Sequence, residues 1–173
     1  MNPEFSRPQR IDTIGDRERP VTIEADAEER RRLAARFGLI SIERLTADFT
    51  IWREAAGILA RGRVTAAVTQ ACSASGEPLP ASVDEPVELM FVEPGTGEEE
   101  VELSADALDT IEIENGAVDL GEAAAETVAL ALDPFVRGPD AETALKEAGV
   151  LSEEEAGPVS GLAAALKDKL AGR

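Results

Sequence analysis

"RVTAAVTQACSASGEPLPASVDEPVELMF", residues 63 to 91, decides how this chain folds. Side chains alternate across a pleated strand, so Val64, Ala66, Val68, Gln70 and Cys72 share one face while Arg61, Arg63, Thr65 and Thr69 share the other. After the turn at Gly76-Glu77-Pro78, Val83, Val87, Leu89 and Phe91 alternate with Asp84, Pro86, Glu88 and Met90. Two long strands joined by that turn form an antiparallel pair. Pro86 has no N–H to give to a ladder, which places the second strand at an edge or a bulge. Cys72, in phase with the valines, reads as a small buried hydrophobe.

Outward from this pair the pattern continues. Upstream, "PVTIEAD" sets Val21 and Ile23 against polar neighbours, a strand ending at Asp26. Asp26 and Glu29 have capping-box spacing, and Gly38 supplies the stop for a helix through "ADAEERRRLAARFG". Ile23 is placed to staple its entry. Leu33, Ala34 and Phe37 form its apolar stripe, Arg31, Arg32 and Arg36 face solvent, and Glu28 is one turn from Arg31 and Arg32. A further strand follows with Phe49 and Ile51 on one face and Trp52 on the other.

Downstream, Ile111 and Ile113 point inward, Glu112 and Glu114 outward, and Asn115-Gly116 makes a turn. Asp119 and Glu122 repeat the cap spacing for a helix with Leu120, Ala124, Thr127 and Ala131 on its buried stripe, closed by Pro134. Shorter helices are expected near 141–148 and 160–170. The expected organisation is an arm over 1–18 carrying one short strand, a domain over 19–136 with an acidic mobile loop at 94–109, and a helical tail over 137–173. The fold class is α+β: an antiparallel twisted sheet of about five strands, open or partly closed as a barrel, with two main helices packed on it.

Composition bounds the function. The chain's 173 residues suit one domain with a tail, and with aromatics at only 3 % its core must be built from alanine, valine and leucine. No apolar run is long enough to span a membrane and no signal-peptide pattern is present, which leads us to expect a cytoplasmic protein without a membrane partner. One cysteine and no histidine leave almost no ligands for a transition metal, so no cofactor is expected. They also leave Cys72 without an imidazole base, which argues against an enzyme and against a small-molecule substrate.

The net charge of −18 is unevenly placed. Residues 1–63 hold 12 Arg against 11 Asp and Glu, whereas residues 64–173 hold 5 Lys and Arg against 24. Such a surface should repel nucleic acid and favour a cationic partner, against the plainer reading that acidity only keeps the protein soluble. The acidic residues offered for that contact are Glu85, Glu88, Glu93, Glu98, Glu99, Glu100, Glu112 and Glu114. "GEEEVE" at 97–102 lacks the ligand alternation and central glycine of a calcium loop and reads as an exposed acidic stretch. Arg30, Arg31, Arg32, Arg36, Arg61 and Arg63 are the residues that could meet phosphate, against the plainer reading of a solvated helix face offset by its glutamates.

Gln70-x-Cys72 with Glu77-Pro78, then Asp119-Leu120-Gly121 with Glu126 and a Leu130-Ala131-Leu132 run ending at a proline, resemble the YceD family of bacterial large ribosomal RNA subunit accumulation proteins. The resemblance runs over most of residues 5–141 and looks like an alphaproteobacterial form. It implies a non-enzymatic part in accumulation of large-subunit rRNA. Many members carry a second cysteine at the position of Ser75 and more after the last motif; this chain does not. Two partners are then in view: a basic large-subunit ribosomal protein bound by the acidic surface, or a large-subunit rRNA precursor bound by the arginines.

Overall fold

The structure is a computed structural model that describes residues 3–94 and 109–150. The expected helix at 160–170, nearly all of the acidic loop, and Glu98, Glu99 and Glu100 lie outside the described residues. Those described fall into two units, one built from residues up to 71 together with 78–134, the other from 72–77 with 135 onward.

The first unit rests on three long strands, β3 (Ser41–Arg53), β4 (Ile58–Ala71) and β5 (Pro78–Val92). They pair antiparallel in sequence order, with Phe49 opposite Gly62, Ile51 opposite Ala60, Ala60 opposite Leu89, and Ile58 opposite Phe91. That register lines Leu45, Ala47, Phe49, Ile51, Val64, Ala66, Val68, Val83, Leu89 and Phe91 along one buried face, as the alternation of the sequence requires. A bulge between Ile42 and Arg44 shifts the phase at the start of β3 and lets Ile42 join the core. The outer face is polar and cross-linked between strands, with Thr46 and Thr65 hydroxyls 2.8 Å apart and Thr22 donating to Asp48 at 2.6 Å.

Two further strands extend the sheet, β2 (Arg19–Glu24) beside β3 and β6 (Asp109–Glu112) beside β5. β6 runs parallel to β5, so the sheet is mixed and the expectation of an all-antiparallel one is corrected. Residues 93–108 separate the two strands, a connection long enough to return in the same direction, whereas a tight hairpin would force the antiparallel pairing. Among the described residues β2 pairs only with β3 and β6 only with β5; the sheet is open, not a closed barrel. Among the described residues β6 covers β5 only from Leu89 to Val92, which leaves Pro86 at an edge there.

α1 (Ala27–Phe37) packs on β3. Its capping box is complete: Asp26 accepts from the N–H groups of Glu28 and Glu29, Glu29 accepts from the Asp26 N–H at 2.8 Å, and Gly38 at φ 66 ends the helix. α2 (Leu120–Ala131) packs on β4 and β5. Its buried stripe is Leu120, Gly121, Ala123, Ala124, Ala125 and Val128, not the expected line through Thr127 and Ala131, and Ala131 is exposed. Small side chains let the helix lie close on the sheet, so the stripe is wider than large residues alone indicate.

β1 (Pro8–Arg10) pairs antiparallel with β7 (Ala117–Asp119), which follows the turn at Asn115 (φ 53) and Gly116 (φ 69). Phe5 and Ile14 on either side of β1 are fully and almost fully buried in the same core. In the second unit α3 (Ala141–Glu147) is a short helix with Ala141 buried.

Gly62 marks the tightest strand contact. A Cβ there would lie 2.1 Å from the Asp48 carbonyl oxygen and 2.9 Å from the Phe49 Cα. Gly62→Ala should therefore lower unfolding free energy in urea by about 1–3 kcal/mol, whereas surface changes stay within about 0.5 kcal/mol. Gly15→Ala, with nothing within 4 Å of the added atom, is the control. Equal midpoints for the two variants would contradict the register.

Candidate functional site

The arginines are the first question, because six of them are the residues that could grip phosphate. On α1, Arg31 and Arg32 both donate to Glu28 at 2.6–3.0 Å, and these bonds hold the Glu28 carboxyl down to about 2. Arg30 donates to the Ala25 carbonyl at 2.6 Å. Arg36, exposed as expected, grips both oxygens of Glu122 at 2.7 and 3.0 Å and donates to Glu4 at 3.0 Å. The Glu122 bond raises its already high pKa further.

On the outer face of the sheet the register sets the pairs. Arg61 stands opposite Glu88 and donates two bonds at 3.0 Å, with its guanidinium 5.6 Å over the Trp52 ring. That pairing lowers the Glu88 pKa. Arg63 donates to Asp84 at 2.5 Å. Five of the six arginines are thus held by carboxylates of the chain itself. Glu28 one turn away was legible as a partner; Glu122, 86 residues on, was not.

The acidic candidates divide. Glu88 is engaged by Arg61; Glu85 is exposed on β5; Glu93 is exposed just beyond it. Glu112 and Glu114 reach a groove of about 720 Å³ between the β6–β7 turn, α2 and the N-terminal segment. Glu4, Asp119, Glu122 and Glu126 line the same groove, with Arg36 among them and Phe91, Ile111, Val118 and Ala123 as apolar lining. No ion pair engages Glu112, Glu114 or Glu126 among the described residues.

Asp119 and Gly121 hold the groove's wall together. Asp119 accepts from the Ser6 hydroxyl at 2.5 Å, the Arg7 N–H at 2.7 Å and the Gly121 N–H at 3.0 Å, so one carboxylate caps α2 and anchors the N-terminal segment. A Cβ at Gly121 would lie 2.6 Å from the Phe5 carbonyl oxygen, so only glycine admits that segment. Arg7 then forks onto Glu29 at 2.7 and 2.8 Å and lowers its pKa, joining the segment to α1. The fourth element of the expected cap differs: Glu122 turns to Arg36 instead of closing a box.

Gln70, Cys72, Glu77 and Pro78 surround the β4–β5 turn. In the first unit Gln70 is buried and donates to the Asp133 carbonyl at 2.9 Å, and Pro78 opens β5. In the second, the Cys72 N–H donates to Glu77, the Gly76 N–H to Cys72, both at 2.8 Å, and the Gly138 N–H to the Cys72 sulfur at 3.4 Å. That Gly138 N–H, joined by the Ser75 hydroxyl and the N–H groups of Ser75 and Ala74, draws the thiol down to about 6. Donors to sulfur here outweigh burial, which acts in the opposite direction. Among the described residues no three acidic, cysteine or histidine side chains come together as metal ligands. No helix among them is long and apolar enough to cross a membrane.

A family model described as large ribosomal RNA subunit accumulation protein YceD matches residues 60–168. The match takes in β4, β5, α2 and both motifs that carry the resemblance, from Gln70 to Pro78 and from Asp119 to Glu126. Comparison with curated proteins and with solved structures gives no match.

The Cys72 environment predicts a measurable titration. An ordinary thiol ionises near 8.5, so the lowered folded value, about 6, stabilises the fold at high pH. The contribution fades as pH falls toward the folded pKa. The chain has one cysteine and no tyrosine, so ultraviolet thiolate absorbance reports this group cleanly. A midpoint near 6 in the folded protein is expected; one near 8.5, as in urea, would contradict the role of the Gly138 N–H.

Proposed function

The chain belongs to the YceD family of large ribosomal RNA subunit accumulation proteins, and from that membership we propose that it acts in the bacterial cytoplasm by holding a basic protein of the large ribosomal subunit. It performs no chemistry on that partner. It covers the partner's cationic surface before rRNA is available and gives it up to the rRNA, whose phosphates compete for the same charges. Large-subunit rRNA accumulates because the protein that protects it arrives soluble and on time.

The observation that carries this reading is the asymmetry of the charges. Affinity for RNA comes largely from cations that neutralise phosphates, and Arg31, Arg32, Arg36, Arg61 and Arg63 already pair with carboxylates of the chain, the first two sharing Glu28. Glu112, Glu114 and Glu126 have no such partner among the described residues and line a groove. Complementary charge speeds encounter with a basic protein and discourages anionic competitors. A direct grip on rRNA through Arg31, Arg32, Arg36, Arg61 and Arg63 would compete with these internal pairs, and among the six candidates only Arg30, bonded to the Ala25 carbonyl, is outside them.

Capture of the full chain from a bacterial lysate at physiological ionic strength tests the reading. A small basic large-subunit ribosomal protein should be retained, and should stay after nuclease digestion of the captured material. Recovery of rRNA with ribosomal proteins that all leave on nuclease treatment would contradict it.

A further inference from the structure

The groove between the β6–β7 turn, α2 and the N-terminal segment differs from a merely acidic surface in two respects. It is concave, and at about 720 Å³ it falls within the roughly 300–1,000 Å³ of clefts that enclose ligands. Its apolar surface comes from half-buried Ile111, with Phe91, Val118 and Ala123 behind it as buried core, so an occupant would meet Ile111 as well as carboxylates. An arginine fits such a lining better than a lysine. Its stem covers apolar surface, its planar fork matches carboxylates two bonds at a time, and it is the more weakly hydrated cation.

The groove already holds one guanidinium in this way. Arg36 lines it and lies between Glu122, which it meets with both oxygens, and Glu4. Glu112, Glu114 and Glu126 line the rest and have no cation among the described residues. An RNA strand would bring phosphates against these carboxylates and is excluded by charge.

We propose that this groove is the docking surface for an extended, arginine-bearing segment of the basic partner, with an arginine guanidinium set among Glu112, Glu114 and Glu126 and its stem on Ile111. The inference rests on the partner class proposed above and adds where it binds and which cation it offers. The three glutamates set the preference for arginine, and Arg36 bounds the groove by occupying Glu122 and Glu4.

Fluorescence anisotropy of labelled peptides with the full chain at physiological ionic strength tests it. The probes are a peptide alternating arginine with alanine and the same peptide with lysine in place of arginine. The Glu114→Gln, Glu126→Gln double variant removes two exposed groove charges; Glu18→Gln, Glu24→Gln removes two exposed charges of the same unit that neither line the groove nor belong to the acidic candidates. The arginine peptide should bind more tightly than the lysine peptide, and the groove variant should weaken it about tenfold, as expected for lost charge-assisted bonds. The control pair should stay within about twofold of the parent.

Equal weakening by both variants, or by neither, would overturn the groove, and a lysine peptide bound as tightly would overturn the choice of cation. Capture from lysate separates this from the broader reading. If the groove variant retains the basic ribosomal protein as well as the parent does, the groove is wrong and the partner class stands. If the parent retains no such protein, the partner class itself falls.

Discussion

The two-residue alternation of β3, β4 and β5, locked into one register, governs both the inside and the outside of this protein. Every second side chain enters the core, so Leu45, Ala66 and Val83 stand side by side behind the sheet. The same geometry places Arg61 opposite Glu88 and brings Arg63 into reach of Asp84 on the outer face. A slip by one residue would expose the apolar set and separate the ion pairs together. Core and surface charge are therefore not independent features. Gly62 shows how closely the strands lie, since no side chain fits between it and the Asp48 carbonyl.

Charge also closes the other side of the molecule. Asp119 caps α2 and holds Ser6 and Arg7, Arg7 forks onto Glu29 of α1, and Arg36 of α1 returns to Glu122 of α2 and to Glu4. The N-terminal segment thereby becomes part of the fold, with Phe5 fully buried. Pairs at this level of exposure contribute modestly to stability one at a time. Their larger consequence is positional: they fix the wall of the groove and withdraw two arginines from any outside anion.

Local patterns made the strands and helix starts legible in the sequence. Asp26 with Glu29, the valines of β4, and the turn at Asn115-Gly116 each carry their own signal, and each is found as expected. What could not be read there depends on contacts between distant residues. The alternation around Ile111 and Ile113 does not encode the direction in which β6 meets β5, which is parallel. The Arg36–Glu122 pair joins residues 86 positions apart, which no helical spacing announces. Phe5 carried a usable hint: in a chain with only five phenylalanines and one tryptophan, an aromatic side chain in a charged arm is a candidate for burial. The groove was half visible, since Glu112 and Glu114 stood out as outward-facing but Glu126 was noticed only for its place in a motif.

The proposed function turns on five candidate arginines being paired with carboxylates of the chain itself while Glu112, Glu114 and Glu126 hold no ion pair among the described residues. The most direct measurement is titration of purified full chain against large-subunit rRNA over a series of salt concentrations. The account predicts no saturable complex at physiological ionic strength. A saturable complex whose affinity falls steeply with salt, and which is lost in Arg31→Glu, Arg32→Glu, would contradict it.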